Sequence, residues 1–271
     1  MKNFRILLLS FLPVIILFSC SVNQAKIDNS LKKYFETRNV DGTFTMLDNA
    51  KGGITVYNME LDTMRFSPGA TFQIITSLVG LETGAIQNDS MMVKWDGVRR
   101  NNKEWNKNLI FIDAFKLNSD PYFDYISKKI SRDTLKLWTD SISYGNKIMS
   151  ENLDSLFSNS SVKISADEQL GLVKKLYFDQ LPFRKSVQQS LRDAMLMEDN
   201  TNYKLSYKTG DALDANNVPV GWVVGWIEEN RHVYFFSTLV KAKNADENIE
   251  DAKMSITRDI LKDLGFFEGK K

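Results

Sequence analysis

Cysteine and histidine are almost absent from this chain: Cys20 and His232 are the only ones among its 271 residues. A single thiol cannot form a disulfide within the chain. One thiol and one imidazole also argue strongly against a zinc centre or a Ser-His-Asp triad. His232 follows the turn residues 228–231, so we expect it to be exposed in a hairpin. The sequence therefore predicts neither a metal nor another cofactor.

The chain also lacks a surplus of charge of either sign, since 35 Lys and Arg oppose 34 Asp and Glu for a net charge of +1. This balance gives no reason to expect nucleic acid as a partner. The five prolines are scattered, and no repeat, low-complexity tract or Pro/Gly-rich linker follows residue 30. At this length, and with 43% hydrophobic residues, the chain is predicted to fold as one compact unit with a sizeable core.

The N-terminus carries the first motif. Lys2 and Arg5 precede residues 6–18, which are apolar apart from Ser10. This stretch is short for a membrane span and typical of a secretory signal peptide. Residues 17–20, Leu-Phe-Ser-Cys, resemble a bacterial lipobox, which implies lipidation of Cys20. We predict a signal peptide over 1–20, a polar tether over 21–30 and an exported protein anchored on a membrane of the bacterial cell envelope. An ordinary signal peptide with a chance cysteine and an uncleaved anchor are the alternatives.

The local patterns after the tether mix strands and helices. A hairpin is predicted over residues 42–57, a helix over 71–83, and helical regions over 107–140 and 165–199, the last opened by a capping box at Ser165 and Glu168. Strands are predicted over 203–207, 222–228 and 233–240, where alternation puts Trp222 and Trp226 on one buried face, and a closing helix over 249–264. Strands near both ends with helices between them predict an α+β fold, in which an antiparallel sheet is built from both termini.

Lys208-Thr209-Gly210 stands at the end of a strand-like run, and several other short motifs accompany it. They are PGATFQI at 68–74, GLETG at 80–84, KWDG at 94–97, YGN at 144–146 and GWVVGWIE at 221–228. In this order and spacing the set resembles class D β-lactamases, a branch of the penicillin-recognising serine hydrolases. The resemblance runs from about residue 40 to 265. It implies a β-lactamase/transpeptidase-like fold, with an inserted helical region, for residues 31–271.

The residues that the family uses for covalent chemistry are missing. The family's first motif is Ser-x-x-Lys, in which serine attacks the lactam carbonyl and a carbamylated lysine takes its proton. Ala70 and Gln73 stand at these two positions. Alanine has no atom to attack with, and a glutamine amide neither titrates nor forms a carbamate. The neighbouring Thr71 has a hydroxyl, but one helical residue is a rotation of about 100°, so it should point away.

The second motif departs as well. The family has Ser-x-Val before a proline, and alignment on Pro121 gives Asn118-Ser119-Asp120. Asn118 can form hydrogen bonds but cannot relay a proton as a hydroxyl does. Ser119 is one position out of register. The tryptophan that family members place over the carbamate corresponds to Phe157.

The half of the family site that binds ligand is better preserved. The resemblance places Lys208 and Thr209, followed by Gly210, against the ligand carboxylate, and it places Lys253 where the family has an arginine. Taken alone, Lys253 is typical of a solvated helix residue. The resemblance also implies an oxyanion hole built from the backbone N–H groups of Ala70 and Asp211, which side-chain changes leave intact.

Three functions are compatible with these residues. The first is a lipid-anchored pseudoenzyme that binds a β-lactam or a peptidoglycan-derived peptide without turning it over. The second is an enzyme that uses another nucleophile, Ser119 or Thr71. The third is a structural envelope module whose outer surface binds a protein partner.

The predicted anchor can be tested by replacing Cys20 with Ala. Without the thiol no lipid can be attached, so the protein is expected to move from the membrane fraction to the soluble exported fraction. Fractionation and N-terminal mass measurement check this outcome. Retention in the membrane with an intact N-terminus would show that residues 1–20 are a membrane span.

Overall fold

The computed structural model describes residues 25–149 and 161–271. Its main element is a seven-stranded sheet of order β1-β3-β2-β9-β8-β7-β6. The strands are β1 Lys26–Ile27, β2 Asp41–Asp48, β3 Ile54–Tyr57, β6 Leu196–Asp199, β7 Lys204–Leu213, β8 Pro219–Glu229 and β9 His232–Lys241. The short strands β4 Met92–Val93 and β5 Leu109–Ile110 form a separate pair. All pairs in the main sheet are antiparallel except β1 with β3.

Helices cover both faces of the sheet. They are α1 Lys32–Glu36, α2 Met59–Thr63, α3 Gln73–Thr83, α4 Phe111–Lys116, α5 Asp120–Ile130, α6 Arg132–Ser141, α7 Ala166–Tyr177, α8 Lys185–Met195 and α9 Glu250–Asp263. Residues of α1 and α9 form one core with one face of the sheet, and residues of α3 to α8 form a second core with the other face. None of the helices in the described ranges has the length and apolar character to cross a membrane.

The structure confirms the predicted sheet with strands from both ends of the chain, including the hairpin of β2 and β3. The capping box at Ser165 and Glu168 is present, and Trp222 and Trp226 are buried on the same face of β8. His232 is exposed where β9 begins. Cys20 and Phe157 lie outside the described residues.

Several predicted boundaries were wrong. Residues 107–140 contain a short strand and three helices, and residues 165–199 contain two helices and strand β6. Strand β7 continues to Leu213, so Lys208-Thr209-Gly210 lies within the strand rather than at its end. The predicted tether also ends earlier, because Lys26 and Ile27 pair with β3. Such differences arise because strand ends depend on partners that are distant in sequence.

A 3₁₀ turn over Gly69–Phe72 carries the chain from the sheet into α3. The indole N–H of Trp222 donates a 2.8 Å hydrogen bond to the carbonyl of Ser67, which ties the start of this turn to β8. Gly69 has a φ of 55°, and a Cβ there would lie 2.3 Å from the carbonyl oxygen of Asp211. Glycine is therefore required where the turn meets β7.

Gly69→Ala is expected to lower the free energy of unfolding by roughly 1–3 kcal/mol, because it combines a strained φ with a steric clash. Urea denaturation measures the change. Gly171→Ala is the matched control, since nothing lies within 4 Å of a Cβ at that position in α7. It should stabilise the fold by about 0.5–1 kcal/mol. Equal effects of the two variants would contradict the assigned role of Gly69.

Candidate ligand site

Ala70 and Gln73 lie one turn apart where the chain enters α3. Ala70 is within the 3₁₀ turn and Gln73 is the first residue of α3. Residues three apart are aligned along a 3₁₀ helix. Ala70 is buried, and Gln73 is fully buried. A methyl group and an amide therefore stand next to each other at the two positions where the resemblance implies a nucleophile and a base.

The side chain of Lys208 reaches this pair from β7. Its Nζ donates a hydrogen bond of 2.8 Å to Oε1 of Gln73 and another to the carbonyl oxygen of Phe115. The same Nζ lies 4.0 Å from the centroid of the Phe115 ring. Lys208 is fully buried, and no carboxylate of the described residues forms an ion pair with it. Burial lowers its pKa well below the usual range, and the charge of Asp120 opposes that shift.

This contact bears on the expected role of Lys208. The resemblance places the lysine against a ligand carboxylate. In the structure its Nζ is bonded to two protein acceptors, Oε1 of Gln73 and the carbonyl of Phe115. The first motif and Lys208 therefore meet, as the alignment requires.

Asn118 and Thr209 form the neighbouring contact. Nδ2 of Asn118 donates a 2.8 Å hydrogen bond to Oγ1 of Thr209, while its buried Oδ1 has no partner in the described residues. Asn118 has a φ of 52°, a left-handed conformation that asparagine tolerates better than most residues. The degenerate second motif thus still contacts strand β7, through an amide in place of a hydroxyl.

The hydroxyl groups of the two alternative nucleophiles have other surroundings. Oγ1 of Thr71 donates to the carbonyl of Pro68 and accepts a hydrogen bond from Gln169, each at 2.7 Å. Its hydroxyl is therefore engaged on the side of α7, and it points away as predicted. Ser119, which the resemblance suggests as a ligand contact, is buried and is one of the residues around a different cavity, beside Trp105.

Lys253 is not a solvated helix residue. It is buried in α9, and its Nζ lies 2.5 Å from Oδ1 of Asp211. Its aliphatic stem packs on β8 at Gly221, where a Cβ would be 3.0 Å from Cδ of the lysine. The side chain of Asp211, in contrast, is 57% exposed. Periodicity alone could not show that a glycine on the sheet leaves room for this stem.

The two segments of the predicted oxyanion hole are adjacent. A Cβ at Gly210 would lie 2.7 Å from the backbone nitrogen of Thr71, and Gly69 lies against the backbone of Asp211. The turn that carries Ala70 therefore packs directly on the strand that carries Asp211. Gly210 is needed because the two backbones approach each other so closely.

Sequence reasoning missed Phe115, Asp120 and Gln169 as neighbours of the site. Phe115 contributes a carbonyl oxygen and a ring face to Lys208, and Gln169 binds Thr71. Burial raises the pKa of Asp120 to about 6; the charge of Lys208 lowers it and that of Asp211 adds to the rise. A backbone carbonyl gives no sequence signal, but Asp120 does, because a carboxylate replaces the valine of the family motif.

Comparisons with known proteins agree with this geometry. A family model described as the penicillin binding protein transpeptidase domain matches residues 33–263. The chain is 33% identical to a probable β-lactamase, YbxI, of Bacillus subtilis (strain 168), over 85% of this chain and 83% of that protein. It is similar to the crystal structure of the class D β-lactamase YbXI from Nostoc, with a TM-score of 0.82 and 30% identity over 88% of this chain and 99% of that one.

A second similar structure is the C-terminal domain of the Bacillus licheniformis BlaR penicillin receptor. The TM-score is 0.84 at 26% identity, and the match covers 95% of this chain and 100% of that domain. Together these matches confirm the predicted α+β fold of the β-lactamase/transpeptidase type.

The raised pKa of Asp120 predicts a pH-dependent stability. Its folded pKa is about 6, above the ordinary value of 3.8, so the unfolded chain ionises first as the pH rises. The free energy of unfolding should therefore fall between about pH 4 and pH 6, by at most about 3 kcal/mol. Asp120→Asn should remove this part of the pH dependence in urea denaturation series. An unchanged dependence in the variant would contradict the assignment.

Proposed function

Because this chain belongs to the penicillin binding protein transpeptidase family, as class D β-lactamases do, we propose that it is a non-catalytic binding protein of that family. Its ligand is a β-lactam-like or peptidoglycan-peptide-like molecule, held without a covalent step. We further propose that lipidated Cys20 anchors it in the bacterial cell envelope.

One observation carries the proposal: the base position is occupied by a side chain that already has another role. Oε1 of Gln73 accepts the hydrogen bond of Lys208 at 2.8 Å, next to the methyl group of Ala70. An acyl-enzyme route needs a nucleophile and a group that removes its proton. Neither group is supplied by these two residues, while the backbone that frames the site is kept.

A relative with receptor function supports a binding role. The BlaR domain with a TM-score of 0.84 is named a penicillin receptor, and it is covered in full by this chain. A fold of this type therefore serves recognition as well as hydrolysis in a protein of similar sequence. In the present chain, recognition without reaction is the simpler inference from Ala70 and Gln73.

Two other functions are compatible with the sequence: an enzyme with another nucleophile and a structural module. Catalysis through Thr71 or Ser119 is disfavoured, since one hydroxyl is engaged with Pro68 and Gln169 and the other faces a different cavity. A purely structural module gains some support from the enclosure of Lys208.

Incubation with a fluorescent penicillin distinguishes these functions. We expect no increase in intact-protein mass and no nitrocefin hydrolysis, since loss of a catalytic unit typically removes about 10⁴- to 10⁶-fold of the rate. Fluorescence anisotropy should show reversible binding that unlabelled penicillin competes away. A covalent adduct lost in Ser119→Ala or Thr71→Ala would establish an enzyme, and absence of any binding would leave the structural module.

Restoring the first motif provides the matched control. Ala70→Ser alone should not restore hydrolysis, because Gln73 cannot activate the new hydroxyl. Ala70→Ser combined with Gln73→Lys supplies both parts and is expected to give a burst of acylation. Absence of a burst in this double variant would show that the cleft has changed beyond its two reacting side chains.

The pair of Asp211 and Lys253 bears on which ligands are favoured. Lys253 is the cation that the resemblance places near a ligand carboxylate, yet its Nζ is 2.5 Å from the carboxylate of Asp211. Lys208 is fully buried. A ligand carboxylate would therefore have to compete with Asp211 for Lys253, so a neutral or amidated ligand is less affected by this pair than an anionic one.

Asp211→Asn should raise the affinity for a carboxylate-bearing penicillin on the order of tenfold, which is about 1.4 kcal/mol. The change removes the competing carboxylate and leaves Lys253 available. Asp199→Asn is the control, because it breaks a comparable pair with Lys204, 2.9 Å apart, at the other end of β7. A decrease in affinity in Asp211→Asn would show that the aspartate itself contacts the ligand.

A further inference from the structure

A second cavity lies beside the site, between the segment of residues 93–109 and helix α5. Its volume is about 300 Å³, at the lower end of the range for small-molecule sites. None of Ala70, Gln73, Lys208 and Thr209 lines it. The boundary between the two regions is the second motif, where Asn118 faces Thr209 and Ser119 faces this cavity. We call it the α5 cavity.

The wall of the α5 cavity contains a buried hydroxyl without a partner. Ser119 is 1% exposed, and its Oγ has no hydrogen-bond partner in the described residues. It stands at the N-cap of α5, where serine usually accepts a hydrogen bond from a backbone N–H of the first turn, but no such bond is present. Leaving a buried polar group unpaired costs about 1–3 kcal/mol. Because this Oγ is covered by protein atoms, a hydroxyl-bearing ligand would reach it only after Ser119 changes rotamer.

Aromatic rings stand at the mouth of the cavity. Trp95 is 38% exposed and Tyr125 is 48% exposed. The indole N–H groups of Trp95 and Trp105 are bonded to the carbonyls of Val98 and Leu117, each at 3.0 Å. These bonds hold the two indole rings in position and satisfy their polar atoms, so the rings offer apolar faces to a ligand.

Two ion pairs stand at the cavity. Arg100 forms bonds of 2.9 and 2.6 Å with the carboxylate of Asp96, and Lys107 lies 2.6 Å from Glu104. Lys94, Asp124 and Lys128 also line the cavity, so its charged groups are cations more often than anions. The lining thus suits a neutral or acidic molecule that has both an apolar face and many polar groups.

We propose that the α5 cavity is a saccharide-binding site. A pyranose ring has C–H bonds on one face, which pack on aromatic rings, and hydroxyl groups around its edge, which bind polar side chains. The cavity has room for about one such ring, with Trp95 and Tyr125 at its apolar side and Ser119 in its wall. The site is separate from the proposed β-lactam-like site and does not rest on it.

Titration of the full-length chain with three neutral or acidic trisaccharides tests the proposal: chitotriose, cellotriose and trigalacturonate. At least one should change tryptophan fluorescence and bind in calorimetry. Trp95→Ala and Tyr125→Ala should each weaken binding about tenfold or more, and Ser119→Ala about threefold to tenfold. Tyr125→Phe, which keeps the ring, should bind as well as the unchanged chain.

Phe178→Ala is the matched control, because Phe178 is 37% exposed at the end of α7 and does not line the cavity. It and Asp211→Asn should leave saccharide binding unchanged. The proposal is overturned if none of the three saccharides binds at 10-millimolar scale, if Trp95→Ala folds and binds normally, or if indole binds better than every saccharide. The last result would identify the cavity as a site for apolar rings.

Discussion

The site is organised around the amine of Lys208, which lies in the protein interior and forms no ion pair with a carboxylate of the described residues. Taking a charge out of water is costly unless hydrogen bonds replace the lost hydration. Lys208 receives this replacement from Oε1 of Gln73, the carbonyl of Phe115 and the face of the Phe115 ring. A glutamine at the start of α3 is well suited to this environment, since its carbonyl accepts a hydrogen bond from the amine.

The hydrogen bond between Lys208 and Gln73 links the first motif directly to β7. The 3₁₀ turn approaches the strand through Gly69 and Gly210, and side chains then connect α3 to Lys208 and Asn118 to Thr209. The same region that frames a reaction in class D β-lactamases is here tied together by internal bonds. The turn, the helix and the strand are packed together, with Ala70 and Gln73 at the two positions of the first motif.

The sequence was a good guide to the fold and to the identity of the site, because both depend on short motifs in a set order. It predicted the sheet, its first hairpin and the direction of Thr71. It did not predict the environment of Lys208, Lys253 or Ser119. In each case the side chain's surroundings depend on a distant element: the end of α4 for Lys208, a glycine on β8 for Lys253 and the segment before α5 for Ser119.

The contact of Gln73 with Lys208 also has an evolutionary consequence. A single change of Ala70 to serine would add a hydroxyl that no neighbour activates. A single change of Gln73 to lysine would remove the acceptor 2.8 Å from Nζ of Lys208 and put a second amine in a dry interior. On the proposed function, a return to hydrolysis would therefore need both changes, and the second of them would also replace the partner of Lys208. The hydrogen bond that Gln73 supplies thus couples the chemistry of this site to its packing.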